Sequence, residues 1–161
     1  MPTFSTKRNV PFSARQMFDL VADVERYPEF LPMCTGLRLI SRTPTPNGGT
    51  ELVARMSVGY KAIRESFTTR VTLVPDDLHI DVAYLDGPFS HLENRWRFVD
   101  LAQGSEIDFY ITYQFRSTML GMVVGAVFDQ AFRKFAEAFE TRAGKVYGTP
   151  ATAIAPPGRP S

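Results

Sequence analysis

Apolar and polar residues alternate with period two through most of the chain's middle, and with a helical period at its two ends. Thr3 to Val10 reads as a first strand, closed by Pro11. Ser13 with Gln16 three residues on forms a capping-box pattern. It opens a helix carrying Met17, Phe18, Leu20, Val21 and Val24 on one face and ending near Arg26. The period then changes. Leu37 and Leu39 flank Arg38. Leu52, Ala54, Met56 and Val58 alternate with polar residues, as do Phe67, Thr69, Val71 and Leu73. The same holds for Leu78 to Tyr84, Leu92 to Phe98 and Ile107 to Phe115. Turn residues punctuate these runs at 43–50, 75–77, 86–88 and 103–105. Six consecutive strands joined by short turns predict an antiparallel meander with one buried face.

After Arg116, Ser117 or Thr118 can cap a long helix that reaches about Val146, roughly 40 Å at 1.5 Å per residue. Its stripe is Val124, Phe128, Ala131, Phe135, Ala138 and Phe139, with Phe132 beside it, and Gly148 stops it. Residues 149–161 are Pro- and Ala-rich without periodicity and are expected to be a disordered tail behind a single domain at 1–148. The fold class is therefore α+β: a curved antiparallel sheet of about seven strands wrapped around a long C-terminal helix. That helix is Phe-rich in its C-terminal half and small and flexible from Met119 to Val127. Space between helix and sheet is accordingly expected near the N-terminal half, as an apolar cavity of a few hundred Å³. Period and composition leave a cavity and a packed core equally open.

The segment Tyr27 to Cys34 adds to this picture. Two prolines, Pro28 and Pro32, bracket large apolar side chains in a connection where polar residues are usual. Either it plugs the core, which is the better reading of the segment alone, or it forms the lip of an apolar site.

Composition narrows the function classes. A chain of 161 residues with 44% hydrophobic and 22% charged residues is ordinary for a globular protein. A net charge of +1 gives no bulk electrostatic argument for nucleic acid or anionic lipid, and no DNA partner is expected. The one cysteine, Cys34, excludes an internal disulfide. The longest apolar run, Met119 to Phe128, is about half of what a membrane span needs. There is no phosphate-binding glycine loop, HExxH pattern or nucleophile elbow. His79 and His91 fall on polar strand positions, some 16 Å apart along their hairpin, and are poor partners for a metal. These readings favour a binding protein over an enzyme, with no catalytic residue, metal or required cofactor.

Three separated stretches then resemble one family. They are Tyr27-Pro28-Glu29-Phe30-Leu31-Pro32-Met33-Cys34; Asp86-Gly87-Pro88-Phe89 followed by Leu92, Trp96 and Phe98; and Phe115 and Ser117 through Phe128 and Phe132 to Ala138-Phe139 and Arg142-Ala143. In this order they are similar to the coenzyme Q-binding branch of the START (steroidogenic acute regulatory protein-related lipid transfer) superfamily, from about Thr3 to Tyr147. Met33 departs from the pattern, where an aromatic residue is common. The resemblance implies a helix-grip fold with an apolar tunnel between sheet and helix. It also implies ubiquinone or a related isoprenoid lipid as bound ligand, and a part in respiration or quinone biosynthesis. Some relatives of that superfamily are polyketide cyclases, and a bacterial branch is described as a ribosome-association toxin.

With no transit-peptide pattern, the bacterial form is expected, cytoplasmic or peripheral on the inner face of the cytoplasmic membrane. The ligand-binding candidates are Tyr27, Phe30, Leu31, Met33, Phe89, Trp96, Met119, Val123, Val127 and Phe128. Val123→Trp is expected to fill tunnel space rather than core, and Tyr27 to Met33 to act as a mobile lip that touches a membrane through apolar contact. The competing partner is the ribosome. Arg38, Arg42, Arg55, Arg64, Arg70, Arg95 and Arg97 occupy outward strand positions, although interleaved carboxylates favour a merely solvated face.

Overall fold

A computed structural model describes residues 2–46 and 48–148. The expected tail at 149–161 lies outside the described residues. Seven strands form one sheet: β1 Thr3–Val10, β2 Cys34–Pro44, β3 Thr50–Tyr60, β4 Ile63–Val74, β5 His79–Asp86, β6 Phe89–Leu101 and β7 Gly104–Phe115. Every neighbouring pair is antiparallel, in the order β1-β7-β6-β5-β4-β3-β2. The meander runs as predicted, and β1 returns to pair with β7.

Register explains the buried face. One cross-strand row runs Leu52–Val71–Val82–Asn94–Ile111–Phe4, and the next Leu73–Ile80–Trp96–Phe109–Thr6. Side chains opposite each other in register share a face, so each row forms a continuous band turned toward the helices. Most of these residues belong to the core.

The helices α1 Ala14–Ala22, α2 Thr118–Arg133 and α3 Phe135–Tyr147 cover that face. The capping box at α1 is present. Ser13 Oγ accepts from the Gln16 N–H, and Gln16 Oε1 from the Ser13 N–H, both at 3.0 Å. α1 does not reach Arg26. It ends at Ala22, and a 3-10 turn covers Val24–Glu29. Pro28 accounts for this, because an α-helix through it would drive its ring into the Val24 carbonyl. The tighter turn keeps Arg26 N–H on the Asp23 carbonyl and Phe30 N–H on the Tyr27 carbonyl.

The expected single C-terminal helix is also corrected. It divides at Lys134, which has φ −99 and ψ 0. Neither proline nor glycine stands there. Phe128 and Phe132 lie before the break, and Phe135 and Phe139 after it, all four turned toward the sheet. The break lets each shorter helix seat its own aromatic pair on the sheet.

An apolar cavity under the helix break

The space between sheet and helices is a cavity of about 70 Å³ beneath the α2–α3 break. Phe132, Phe135 and Phe139 roof it. Its floor comes from β3 to β7, including Ala54, Val71, Val82, Trp96 and Ile111. Val24, Tyr27 and Leu31 close one side. This position corrects the expectation of an enclosed apolar cavity of a few hundred Å³ beside the N-terminal half of the last helix; the space of about 530 Å³ beside that half, against Tyr113, Phe115, Gly121 and Gly125, is an open surface groove. That half turns Met119, Met122 and Val123 to solvent, at 74%, 81% and 64% exposure. The large aromatic side chains that seemed to fill the other half instead arch over the gap.

Two polar side chains interrupt the apolar wall, Thr69 and Asn94, both more than nine-tenths buried. Asn94 Oδ1 accepts from the Trp96 indole N–H at 3.0 Å, and its amide donates to the Tyr110 carbonyl at 2.8 Å. It thereby satisfies two buried polar groups and fixes the Trp96 ring, which packs against Phe109 and Phe139. Sequence reasoning passed over both residues. The available signal was a polar residue at an inward position of two otherwise apolar strand faces.

The Pro-bracketed segment is a plug. The Tyr27 hydroxyl donates to the Val21 carbonyl at 2.5 Å. Its ring and that of Phe30 both meet Phe139 edge-on. Burial pushes the Tyr27 hydroxyl far above the ordinary phenol range. Outside it, Glu29 pairs with Arg142 at 2.6 Å and with Arg26 at 3.0 Å, and these hydrogen bonds hold its carboxyl below the usual range. The Arg142 guanidinium lies over the Phe30 ring. Leu31 is buried and Tyr27 is turned inward, while Phe30 and Met33 stay half-exposed, so the segment covers the core more than it presents the solvent-facing lip expected of it.

The ten candidates therefore fall into separate places. Tyr27, Leu31 and Trp96 line the cavity. Met33, Val127 and Phe128 line an adjoining cleft of about 20 Å³ that runs outward between α2 and the β3–β4 hairpin and shares Met56, Phe67, Phe132 and Phe135 with the cavity. Phe30 lines an open groove beside α3. Phe89 is fully buried in a cluster with Phe67, Tyr84, Tyr113, Phe115 and Phe128 and lines neither space. Met119 and Val123 lie on the outer face of α2, so a bulkier residue at Val123 would meet solvent and not the cavity.

The outer face of the sheet is mixed in charge. Arg55, Arg70 and Arg95 approach Asp86, Glu51 and Glu93. A bulge between Leu39 and Ser41 puts Arg42 opposite Leu52, an inner-face position at the sheet edge, and takes it out of the outward set. Among the described residues, no group of His, Cys, Asp or Glu is arranged to hold a metal, and no helix is long and apolar enough to cross a membrane. Cys34 is buried, and desolvation pushes its thiol up to about 11.

Comparisons with known proteins agree on this architecture. Residues 10–140 match the family described as polyketide cyclase / dehydrase and lipid transport. The ribosome association toxin RatA of Escherichia coli K12 is 36% identical over 148 residues, covering 91% of this chain and 90% of that protein. The mitochondrial coenzyme Q-binding protein COQ10 homolog B of Xenopus laevis is 31% identical, covering 90% of this chain and 59% of that one. The solution structure of an 18 kDa protein from Caulobacter crescentus superposes with a TM-score of 0.74 at 34% identity, over 92% of this chain and all of that one.

Proposed function

The chain belongs to the polyketide cyclase / dehydrase and lipid transport family, and from that membership we propose that it carries an isoprenoid lipid, ubiquinone or a close relative, in the cavity under the helix break. The observation that carries this reading is the composition of the wall. It is aromatic and aliphatic throughout, with Thr69 and Asn94 as isolated polar points. Hydrocarbon is what such a wall stabilises, at about 2.5 kcal/mol for each ~100 Å² removed from water. Two polar groups suit the carbonyl or hydroxyl oxygens of one small head group. The similarity to a protein named for coenzyme Q binding points the same way.

The family description includes enzymes, but the wall argues for binding. Its one titratable side chain is Tyr27, whose hydroxyl is turned away to the Val21 carbonyl and held in its neutral form by burial. The Thr69 hydroxyl faces the space without any base in the wall to activate it. On this reading the protein works in quinone function or biosynthesis, in the cytoplasm or against the inner face of its membrane. The test is organic extraction of the purified protein followed by mass spectrometry. A stoichiometric polyisoprenoid quinone is expected, and it should be lost in Ala54→Phe, which fills the cavity floor. An extract without any apolar ligand, together with no uptake of added quinone, would overturn the proposal.

A second reading rests on the 36% identity to a protein named as a ribosome association toxin. Binding to the large ribosomal subunit would then block subunit association. Arg38 and Arg97, which form no ion pair among the described residues, are the first outer-face positions to test. Sedimentation with ribosomal subunits across a salt series separates this reading from lipid binding.

A further inference from the structure

The exposed face of α2 has no role in the cavity and no partner in the fold. Met119, Met122 and Val123 stand largely in solvent on consecutive turns, with Ala126 exposed beside them. No residue from 117 to 128 carries a charge. An isolated exposed Met needs no explanation, but a run of them on one helix does. Three cations stand around it. Arg116 precedes α2, Lys61 lies in the turn of the β3–β4 hairpin, and Arg64 is on the outward side of that hairpin, whose inner side lines the outer cleft together with the C-terminal part of α2. Arg116 and Arg64 donate to backbone carbonyls, Lys61 lies over the Tyr60 ring, and none of the three pairs with a carboxylate among the described residues. Glu65 is the acidic residue nearby without an ion pair, since Asp86 lies close to Arg55.

We propose that this face of α2, with the β3–β4 hairpin, docks on the surface of a bilayer that contains anionic phospholipid. The chemistry fits an interface. Met and Val enter the acyl boundary, while Lys61, Arg64 and Arg116 meet the head groups. The uncharged stretch is roughly 18 Å long, about three-fifths of the hydrocarbon thickness, so it lies in the interface and does not cross it. The net charge of +1 hides this, because the excess is local. Position supplies the second argument. The outer cleft opens between this helix and this hairpin and shares four walls with the cavity. An apolar ligand could pass from bilayer to cavity along apolar side chains. That last step rests on the lipid-carrying reading; the docking itself does not.

The experiment is flotation of the full chain with vesicles of phosphatidylcholine alone and of phosphatidylcholine mixed with phosphatidylglycerol. Tighter binding to the anionic vesicles is expected. The double variant Met122→Glu, Val123→Glu should weaken it about tenfold or more. Lys61→Glu with Arg64→Glu should remove the preference for anionic vesicles. Val99→Glu with Leu101→Glu, at exposed apolar positions on the β6–β7 hairpin at the far end of the sheet, should change nothing. All these sites are exposed, and thermal melts verify that the variants fold. The proposal is overturned if the wild type fails to float, or if the Met122/Val123 variant floats equally well. It is also overturned if analytical ultracentrifugation shows that this face is covered by a second copy of the chain. Ligand content is extracted in parallel. Vesicle binding without any bound lipid would sink the carrier reading and leave the docking surface standing.

Discussion

Asn94 shows how much one residue does here. It stands where the alternation of β6 calls for an apolar side chain, and it answers both the Trp96 indole and the Tyr110 carbonyl. A buried polar group left without a partner costs about 1–3 kcal/mol. Asn94→Ala is therefore expected to lower the unfolding free energy by roughly 2–4 kcal/mol in urea titration, through the orphaned indole N–H and the lost packing. Asn94→Asp keeps the indole acceptor but loses the donor to Tyr110, and should stay destabilised. If Asn94→Ala melts like the wild type, the Trp96 ring is held by packing alone and the polar point in the wall is free to serve the ligand only. Val123 gives the opposite lesson. Its apolar character and helical position suggested a tunnel wall, yet hydrophobicity does not say which side of a helix faces the sheet. Only the arc fixed by Val124, Phe128 and Phe132 does, and Val123 falls outside it.

At the scale of elements, α2 is loosely built at its start. Gly121 and Gly125 lie against Phe115, and a methyl group added to either would meet that ring at 3.5 Å or more, an ordinary contact. Neither glycine is required by packing or by a positive φ. Gly125→Ala should therefore stabilise the protein by about 0.5–1 kcal/mol, raising the melting temperature by roughly 1–4 °C in calorimetry. A loss of stability would mean that Phe115 cannot yield to the added methyl. The strands, the order of the six-stranded meander and the α1 cap were legible in the sequence, because period two and a capping box are local signals; the pairing of β1 with β7 was not, since it joins residues about 100 positions apart. The break at Lys134 was not, since it depends on a sheet built from residues roughly 20 to 130 positions away. The cavity was mislocated for the same reason. Side-chain volume along α2 and α3 was readable, but the arch of Phe132, Phe135 and Phe139 depends on that bend. The inward turn of Tyr27 and Phe30 likewise depends on Phe139, far along the chain. The apolar character of the Pro-bracketed segment was plain; its role as plug required its partner.

The whole molecule poses a problem of volume. Pockets for small-molecule ligands run to about 300–1,000 Å³, and the cavity here is about 70 Å³. A lipid enters only if the grip widens, and the sheet, paired on every strand, is the stiffer half. The movable part is α2. It is seated mainly by Val124, Phe128, Ala131 and Phe132, holds two dispensable glycines, and is already separated from α3 at Lys134. Pivoting there would lift Phe132 and open the outer cleft into the cavity. This can be tested by pinning the helix. A Cβ at Gly121 would lie 3.7 Å from the Phe115 Cβ, within the span a disulfide bridges. The double variant Phe115→Cys, Gly121→Cys should, when oxidised, bind quinone at least about tenfold more slowly than when reduced, as followed by quenching of Trp96 fluorescence. The reduced form controls for the lost Phe115 ring, and buried Cys34, with its raised pKa, should stay out of the exchange. Equal rates in the two redox states would mean that the ligand reaches the cavity without movement of α2, and the opening would then have to be sought at the Tyr27 plug.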